Sequence, residues 1–299
     1  MKAVTKLIFF DNNKEKFFGE GPARLLQGIE ETGSLRASAM SMNMAYTKAL
    51  KLLKNAETAL GFTLTTRTTG GKSGGGSTLT PQGKAFLERY LACRDACAAA
   101  NQQLVRQFFP KIGCVIMASG LGKRFGGNKL MADFNGTPMF LKALEATHDL
   151  KDNRVVVTRH EDVAMICRDM GIAVVLHDLP HRSDTVRLGL EALGDIDACL
   201  FLPADQPLLR PETVNALVSQ WEANRESIHR PFHNDTPGSP VLFPQWAFPE
   251  LMRLPEGKGG GWLIKKYPHR LKGLAIDDPF ELMDADTPET LEFLRQLTK

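Results

Sequence analysis

Apolar and polar positions follow two different patterns along the chain, and the change falls near residue 110. In the front part, apolar residues recur at helical spacing, for example Leu50, Leu53 and Ala56 on one face of a helix predicted over 44–60. In the remainder, short apolar runs alternate with helical patterns, and the runs cover 113–118, 155–158, 173–176 and 198–202. Strands separated by helices are typical of a parallel sheet covered on both faces. The pattern therefore predicts two domains, residues 1–110 and 111–299.

The front domain is predicted to be mostly α-helical with a β-hairpin near its end. In chain order, the signals predict a hairpin over 4–18, helices over 21–32, 35–42 and 44–60, a second hairpin over 62–80 and a helix over 81–108. Ser34 is a suitable N-cap for the short second helix, and five glycines lie among residues 68–77 at the tip of the second hairpin. This order is typical of a winged helix-turn-helix, in which one helix enters the major groove of DNA.

Composition excludes several classes of protein. Of the 299 residues, 43% are hydrophobic and 24% charged, which allows a sizeable core and argues against disorder of the whole chain. No apolar run approaches the roughly 18 residues of a membrane span. The first ten residues lack the features of a secretory signal, and the five cysteines show no zinc or disulfide spacing. We therefore expect a reduced, cytoplasmic protein with no membrane partner.

The formal net charge of +3 divides unevenly between the two predicted domains. Residues 1–110 contain 15 Lys and Arg against 8 Asp and Glu, a net charge of +7. Residues 111–299 contain 22 against 26, a net charge of −4. A small basic domain indicates a polyanionic partner, and the predicted winged helix makes double-stranded DNA the expected one.

The strongest candidate site in the second domain is a glycine-rich loop that follows its first strand, within CVIMASGLGKRFGGNKLM at 114–131. Glycines such as Gly120 and Gly122 let backbone N–H groups point at an anion, and Arg124 and Lys129 add positive charge. The spacing does not fit a Rossmann fingerprint, because Phe125 stands where the third glycine is required. It does not fit a Walker A loop either, because Arg124 stands where Ser or Thr is required after Gly-Lys. The alternative is an ordinary strand-to-helix turn with incidental basic residues.

This loop resembles the signature loop of MobA-like nucleotidyltransferases, which read G-x-G-x-R-x-G followed by Lys-Leu. The resemblance implies a three-layer α/β fold of the GT-A-like, nucleotide-diphospho-sugar-transferase-like class with a mostly parallel sheet. Its MASG start is more similar to the LAAG of molybdenum cofactor cytidylyltransferases (MocA-like) than to the LAGG of the guanylyltransferases. By this resemblance the loop binds a nucleoside triphosphate, CTP favoured over GTP, and its nucleotide-binding residues are Ala118, Ser119, Gly120, Gly122, Arg124 and Lys129.

Two acidic segments are candidates for holding a metal ion. Asp205, in LFLPADQPLL, follows a buried strand at the sheet edge where open α/β sheets bind ligands, and the segment resembles the family's GDQP. Asp286 lies in DADTPE, which resembles the family's C-terminal segment, and Asp284 is close enough to compete with it. The resemblance implies that Asp205, with Asp286, holds Mg²⁺ between the phosphates, and that Arg124, Lys129 and Asp205 are catalytic. The alternative role for both carboxylates is helix capping.

Other segments match the same family more loosely. The stretch 181–187 resembles the S-S-L-R-x-G segment near the nucleoside, which makes Ser183 a nucleotide-binding candidate, although Asp184 departs from the pattern. The stretches 238–243 and 257–261 resemble the GxPVLF and GDxGAR segments that frame the acceptor. Lys258 and Gly261 replace an acidic residue and an arginine there, so the acceptor is less securely indicated than the nucleotide.

The front domain resembles the LysR-like winged helix of ModE-type molybdate-responsive regulators over about residues 3–105. The similarity is carried by GxLxxxAxxMxMxYxxAxxLL from Gly33 to Leu53, the glycine-rich stretch 69–77 and LTPxGxxxLxRY from Leu79 to Tyr90. It implies homodimerisation through the helix at 81–108. The DNA-binding residues that it implies are Ala45, Tyr46, Thr47, Lys48, Lys51, Arg67 and Lys72. The alternative for the lysines is a solvated helix face.

Together these features predict a DNA-binding winged helix fused to a nucleotidyltransferase that attaches CMP, favoured over GMP, to a molybdopterin-type cofactor. One competing hypothesis is a molybdenum-related transcriptional regulator whose transferase-like domain only senses nucleotide or cofactor. Another is that the front domain serves only for dimerisation. The presence of Gly120, Arg124, Lys129 and Asp205 together favours an active enzyme.

Overall fold

A computed structural model describes residues 4–68, 76–122 and 124–298. The backbone forms two compact units, Met1–Phe109 and Pro110–Lys299, and each has its own hydrophobic core. The division lies one residue from the boundary expected from the change in hydrophobic pattern. Within the described ranges, no helix has the length and apolar character needed to cross a membrane.

The described residues of the first unit form two short hairpins and four helices. In chain order these are β1 (Phe9–Phe10), β2 (Lys16–Phe18), α1 (Glu20–Thr32), α2 (Leu35–Ser41), α3 (Tyr46–Leu60), β3 (Thr65–Thr68), β4 (Gly76–Leu79) and α4 (Pro81–Phe108). The hydroxyl of Ser34 caps α2 by accepting from the Ala37 N–H, as its position predicts. Helix α3 begins two residues later than expected because Ala45 has an extended backbone (φ −61°, ψ 136°) and is the N-cap residue.

The core of the first unit joins α1, α2 and α3 to an aromatic group from β2 and α4. The ring of Phe18 meets those of Phe86 and Tyr90 edge-on, with both pairs of centroids 4.8 Å apart. Helices α1 and α2 approach so closely that a Cβ on Gly28 would lie 2.3 Å from the Ser38 hydroxyl. This packing leaves one face of α3 directed away from the core.

The second unit is an α/β fold with one main sheet. Its strands are β5 (Ile112–Ala118), β6 (Asp133–Phe134), β7 (Thr137–Pro138), β8 (Arg154–Thr158), β9 (Val174–Leu176), β10 (Ala198–Pro203), β11 (Ile228–His233), β12 (Thr236–Pro237), β13 (Val241–Pro244) and β14 (Leu271–Ala275). Its helices are α5 (Leu141–Ala146), α6 (Glu161–Asp169), α7 (Arg182–Leu193), α8 (Pro211–Ala223), α9 (Phe248–Leu251), α10 (Gly261–Lys266) and α11 (Pro288–Gln296).

The main sheet has the strand order β12-β11-β13-β10-β5-β8-β9, and β14 pairs with β11. Strands β10, β5, β8 and β9 are parallel neighbours, which confirms the mostly parallel sheet expected from the alternating pattern. Strand β13 is antiparallel to β10 and continues the sheet toward β11. The parallel half places the ends of β5, β8 and β10 at one edge of the sheet.

Helices cover both faces of this sheet, which explains why its central strands are apolar at successive positions. Along β5, Ile116 packs into the layer that contains Trp221 of α8, whereas Val115 packs into the layer formed with α7, α9 and α10. Helix α7 lies very close to β5, because a Cβ on Gly189 would come within 2.6 Å of the Val115 methyl groups. This contact fixes the start of α7 beside the edge where the candidate site residues lie.

Candidate functional site

A cavity of about 550 Å³ opens at the carboxyl edge of the parallel strands. It is lined by the loop that follows β5, the residue after β8, the first turn of α7 and the segment after β10. Its polar and charged lining residues include Ser119, Arg124, Lys129, Arg159, His181, Arg182, Thr185, Asp205, Asp284 and Asp286. The structure therefore brings together the glycine-rich loop and both acidic segments singled out in the sequence.

Lys129 joins the two acidic segments at this cavity. Its Nζ donates to Asp205 Oδ2 at 2.5 Å and to Asp286 Oδ1 at 2.7 Å. Lys129 is only 7% exposed, and this burial by itself lowers its pKa. The two carboxylates have a larger opposite effect, so the pKa of Lys129 is raised above its usual value. Arg124, whose side chain is 77% exposed, lies 3.3 Å from the second oxygen of Asp286. Two cations and two carboxylates thus form one charge cluster.

The two neighbouring carboxyls of the C-terminal segment have different environments. Partial burial in the cavity wall and the charge of Asp205 raise the pKa of Asp284 to about 6. Its Oδ1 accepts from Gln206 Nε2 at 2.9 Å. Asp286, in contrast, has a lowered pKa because Lys129 donates a hydrogen bond to it. Asp286 is therefore the more readily ionised member of the pair and the one bonded to Lys129.

Helix capping does not account for Asp205 or Asp286. Helix α8 begins at Pro211, five residues after Gln206, and its N-cap position is Arg210. At α11, the hydroxyl of Thr287 accepts from the Thr290 N–H and is the cap. The carboxylates of Asp205 and Asp286 are instead directed at Lys129, so the capping alternative is wrong for both residues.

The glycine-rich loop leaves β5 through a turn that needs glycine. Gly122 has a φ of 58°, and a Cβ there would lie 2.3 Å from the Gly127 carbonyl oxygen. His160 contacts the loop, with Nε2 2.8 Å from the Gly120 carbonyl oxygen. Ser119 is anchored through Oγ, which donates to the Val157 carbonyl at 3.1 Å and lies 2.8 Å from His177 Nε2. Lys123 falls outside the described residues.

Two of the predicted nucleotide-binding residues take less direct positions. Ala118 is buried at the end of β5, where its carbonyl accepts from the Thr158 hydroxyl at 2.9 Å. Ser183 lies half-buried in the first turn of α7, while its neighbours Arg182 and Thr185 line the cavity. Asp184, the departure from the family pattern, accepts from the His181 N–H at 3.1 Å in a capping box that starts α7.

Sequence reasoning missed Arg159 and His177 as residues in or beside the cavity. Within the stretch 181–187 it selected Ser183 and not Arg182 or Thr185, which line the cavity. A usable signal exists for Arg159, which directly follows β8, and for Arg182, which opens the helix after β9. Since parallel strands end at one sheet edge, charged residues after any of them are site candidates. Nothing in the local sequence indicates that His177 reaches Ser119.

The donor set at the cavity fits a hard divalent cation. No group of three or more His, Cys, Asp or Glu side chains that could hold a metal ion occurs in the part of the chain that the structure describes. Oxygen atoms of Asp205 and Asp286 nevertheless converge on one point, where Lys129 Nζ lies. Mg²⁺ typically takes one or two carboxylates and completes its shell with phosphate and water. These two residues are sufficient for that kind of site.

The residues predicted to contact DNA lie on the first unit. Ala45 is at the N-cap position of α3, and the others on this helix follow it, all of them exposed: Tyr46, Thr47, Lys48 and Lys51. Arg67 is exposed on β3. The Arg36 guanidinium stacks over the Tyr46 ring, 5.7 Å from its centroid. Lys72 lies outside the described residues.

The fold and the cavity of the second unit define an α/β nucleotidyltransferase-like protein. The model of the MobA-like NTP transferase domain family matches residues 114–271, more than half of the chain. The chain belongs to this family. The match begins in β5 and ends at the first residue of β14, so it includes the glycine-rich loop and Asp205 but not Asp286.

Individual relatives and solved structures are similar to this chain at low sequence identity. A probable molybdenum cofactor guanylyltransferase of Thermococcus gammatolerans is 32% identical over 111 residues, which are 36% of this chain and 55% of that protein. A 3-deoxy-manno-octulosonate cytidylyltransferase of Parabacteroides distasonis is 28% identical over 135 residues, 43% of this chain and 53% of that protein. The crystal structure of Rv0371c from Mycobacterium tuberculosis H37Rv aligns with a TM-score of 0.55 and 23% identity, covering 62% of this chain and 98% of that one. The chain thus spans about half the length of the curated relatives it matches.

Proposed function

We propose that the second unit transfers a nucleoside monophosphate from a nucleoside triphosphate to a molybdopterin-type acceptor, with CMP favoured over GMP. The observation that carries this proposal is the cluster of Arg124, Lys129, Asp205 and Asp286 at the cavity. Phosphoryl and nucleotidyl transfer require charge neutralisation and positioning rather than a covalent enzyme intermediate. A buried lysine held by two carboxylates beside a glycine-rich loop is suited to that task.

In the proposed reaction, an oxygen of the acceptor's terminal phosphate attacks the α-phosphorus of the triphosphate. A new P–O bond forms, and the bond from the α-phosphorus to the oxygen that bridges to the β-phosphate breaks. Pyrophosphate leaves with that bridging oxygen and its electron pair. Arg124 and Lys129 offset the charge that develops on the leaving group, and the loop N–H groups after β5 orient the phosphates.

Asp205 and Asp286 are the residues that would hold Mg²⁺ in this site. When bound, the cation supplies charge neutralisation between phosphate oxygens and orients them for in-line attack. Lys129 bridges the same two carboxylates in the structure. We infer that Lys129 turns toward the phosphates when the nucleotide and its cation are bound.

The preference for CMP rests on Ala118 and Ser119 at the start of the loop. Among the relatives, one is named as a guanylyltransferase and another as a cytidylyltransferase. Ser119 supports a defined base-side geometry, because its hydroxyl is held by the Val157 carbonyl and the His177 ring.

The decisive experiment is a panel of the four common nucleoside triphosphates with Mg²⁺ and purified molybdenum cofactor. We expect pyrophosphate release with CTP, and a product mass equal to the cofactor plus CMP. Absence of pyrophosphate from every triphosphate contradicts the proposed transfer. Turnover by the wild type but not by Asp205→Ala distinguishes an enzyme from a regulator that only senses nucleotide or cofactor.

We propose further that the first unit binds double-stranded DNA as a winged helix-turn-helix. The order of α1, α2, α3, the β3–β4 hairpin and α4 supports this, as does the exposed basic face of α3. Within the described ranges, Lys48, Lys51 and Arg67 make no ion pair, so their charges are free for phosphate. Salt-dependent binding of the full chain to duplex DNA tests this proposal, and the absence of such binding contradicts it.

The same unit is proposed to form a homodimer through α4. This helix buries Gly83, Leu87 and Tyr90 in its own unit, whereas toward its end Leu104 is 50% and Phe108 73% exposed. Exposed large apolar side chains along one helix indicate a protein partner. Sedimentation of the wild type and of Leu104→Glu should show a dimer and a monomer, and a monomeric wild type would contradict this assignment.

A further inference from the structure

The turn that carries Lys129 is held by a pair of polar side chains beside the cavity. Asn128 Nδ2 donates to both carboxylate oxygens of Asp162, at 2.9 Å each. Asp162 lies in the first turn of α6, the helix that follows β8. On its other side, Asn128 accepts from the Leu130 N–H through Oδ1 at 3.2 Å. The orientation of the Asn128 amide is therefore fixed, since a reversed amide would place its oxygen against the carboxylate.

Asn128 also determines where the backbone of Lys129 lies. It is the N-cap residue of a 3₁₀ turn over Lys129–Met131, and its carbonyl accepts from the Met131 N–H at 3.1 Å. Leu130 anchors the same turn in the core of the second unit, where it is almost fully buried. Lys129 is the first residue of this turn. Its ammonium therefore reaches the cavity from a backbone that is held by contacts other than those of the ammonium itself.

The start of α6 contacts the glycine-rich loop at two points. Asp162 binds Asn128 at the end of the loop. Near the beginning of the loop, the Gly120 carbonyl oxygen lies 2.8 Å from Nε2 of His160, the N-cap residue of α6. The Asp162 carboxylate also accepts from the Val163 N–H at 2.8 Å, which anchors it to the first turn of its own helix. One junction, between β8 and α6, thus supports both ends of the loop.

This support is needed most when a nucleotide occupies the cavity. In the structure, the carboxylates of Asp205 and Asp286 hold Lys129 Nζ. The proposed transfer assigns both carboxylates to Mg²⁺, so they no longer fix the ammonium once the cation binds. Neither Asn128 nor Asp162 is among the described residues that line the cavity, so a bound nucleotide leaves their contact in place. That contact then fixes the point from which Lys129 reaches the phosphates.

We propose that Asp162, acting through Asn128, is a positioning residue for Lys129. The inference rests on the proposed nucleotidyl transfer, in which Lys129 offsets charge on the phosphates. A cation that exchanges carboxylates for phosphate is effective only if its backbone stays in place, because small misplacements lower the rate. The contact consists of one amide donor and one carboxylate acceptor, so the two side chains can be exchanged for each other.

The test makes this exchange in the full-length chain and measures the affinity for a non-hydrolysable CTP analogue with Mg²⁺ by titration calorimetry. Asn128→Asp places two carboxylates against each other and should weaken analogue binding about tenfold, as for loss of a charge-assisted contact. Asp162→Asn, which leaves an amide of the same shape, should cause a smaller loss. The double variant Asn128→Asp, Asp162→Asn again sets a donor against an acceptor and should bind within about threefold of the wild type.

Asn215→Asp is the matched control, because Asn215 donates to Asp149 at 2.7 Å in an exposed pair of the same unit. It should leave the affinity for the analogue unchanged. A double-mutant cycle with Lys129→Met distinguishes positioning from general support of the fold. If the pair acts through Lys129, Asn128→Asp should cause little further loss of affinity in the Lys129→Met background.

Three results overturn the proposal. They are unchanged analogue affinity in both Asn128→Asp and Asp162→Asn, a double variant as weak as Asn128→Asp, and an equal loss from Asn128→Asp with and without Lys129. A wild type that binds the analogue and shows the expected coupling, yet releases no pyrophosphate, overturns the transfer and leaves the positioning of Lys129 standing.

Discussion

The two units present positive charge to their proposed ligands in opposite ways. In the cavity, Lys129 is almost fully buried and already bonded to Asp205 and Asp286. On α3, Lys48 and Lys51 are exposed, and neither has an ion-pair partner among the described residues. The unit that contains Lys129 has a net charge of −4, and the unit that contains α3 has +7. Net charge therefore locates the open basic surface but not the enclosed anion site.

The difference has a physical consequence for binding. A buried cation paired with carboxylates exchanges one set of partners for another when a polyanion arrives, and salt screens such contacts weakly. Exposed lysines bind a duplex largely by releasing its condensed counterions, which makes the affinity fall steeply with salt. We therefore expect nucleotide binding to depend little on ionic strength and DNA binding to depend on it strongly.

The largest expected effect comes from removing the carboxylate at the centre of the enclosed site. Asp205→Ala should lower kcat for nucleotidyl transfer by about 10²- to 10³-fold, the range for loss of one pre-organised electrostatic group. Lys129 keeps Asp286 as a partner, so the melting temperature should change little. Asp235→Asn, an exposed acid in the turn after β11, is the control. Equal rates for wild type and Asp205→Ala would remove Asp205 from the mechanism.

On the open surface, the double variant Lys48→Ala, Lys51→Ala should weaken duplex binding by about 10- to 100-fold at moderate salt. Each lost phosphate contact should lower the slope of log K against log salt by about 0.9, so the slope should fall by roughly 2. Fluorescence anisotropy over a salt series measures both quantities.

Lys84→Ala is the matched control for this variant, because Lys84 is exposed on α4 but lies 3.6 Å from Glu30. It should leave the slope unchanged. An unchanged slope in the double variant would show that α3 is a solvated helix face and would remove the contrast between the two units. The double variant and Lys84→Ala should both catalyse nucleotidyl transfer at the rate of the wild type.

Arg124 is intermediate between the buried, paired Lys129 and the exposed lysines of α3. It is paired with Asp286, yet its side chain is mostly exposed. Arg124→Ala should raise the Kd for CTP about tenfold, with a smaller effect on kcat than Asp205→Ala. Because the side chain is exposed, its contribution should weaken with salt more than that of Lys129. Arg168→Ala, which breaks an exposed pair with Glu161, should bind CTP normally. Equilibrium titration at two salt concentrations distinguishes these outcomes.

Much of the fold could be predicted because its signals are local. Pro81 and the Thr80 hydroxyl define the start of α4, and the predicted helix over 81–108 has the observed bounds. The parallel strands were expected near their observed positions because they form apolar runs separated by helices. Strands β11 and β14 were not predicted, since their parallel pairing joins Ile228 to Leu271 across a long stretch of chain with little local pattern.

The candidate site was predictable where a motif lies in one segment and not where distant segments meet. Arg124, Lys129 and Asp205 were found from the loop and the strand end. The bridge from Lys129 to Asp286 spans 157 residues, and no spacing rule predicts that one ammonium would join both carboxylates. The closeness of Arg182 to Gly259 was not predicted either, because the two residues are distant in sequence.

The smallest effect concerns stability and a buried group outside the cavity. Burial lowers the pKa of His229 in β11, whose Nδ1 and Nε2 lie 3.1 Å from the Gln220 Oε1 and the Asn224 carbonyl oxygen. The folded unit therefore holds this ring neutral, while the unfolded chain binds a proton below about pH 6.5. Stability conferred by this group is present above pH 6.5 and decreases as the pH falls, by at most about 1.4 kcal/mol per pH unit.

Tryptophan fluorescence measures this effect for the second unit alone, because Trp221, Trp246 and Trp262 all belong to it. Urea midpoints of the wild type should be lower at pH 5.5 than at pH 7.5, and His229→Gln should reduce that difference. His269→Gln, at an exposed position, should retain it. A wild type with equal midpoints at both values would mean that the buried ring titrates as it does in water. The second unit would then accept a protonated His229 in its interior without a carboxylate partner. The buried charge of Lys129, in contrast, is paired with two carboxylates.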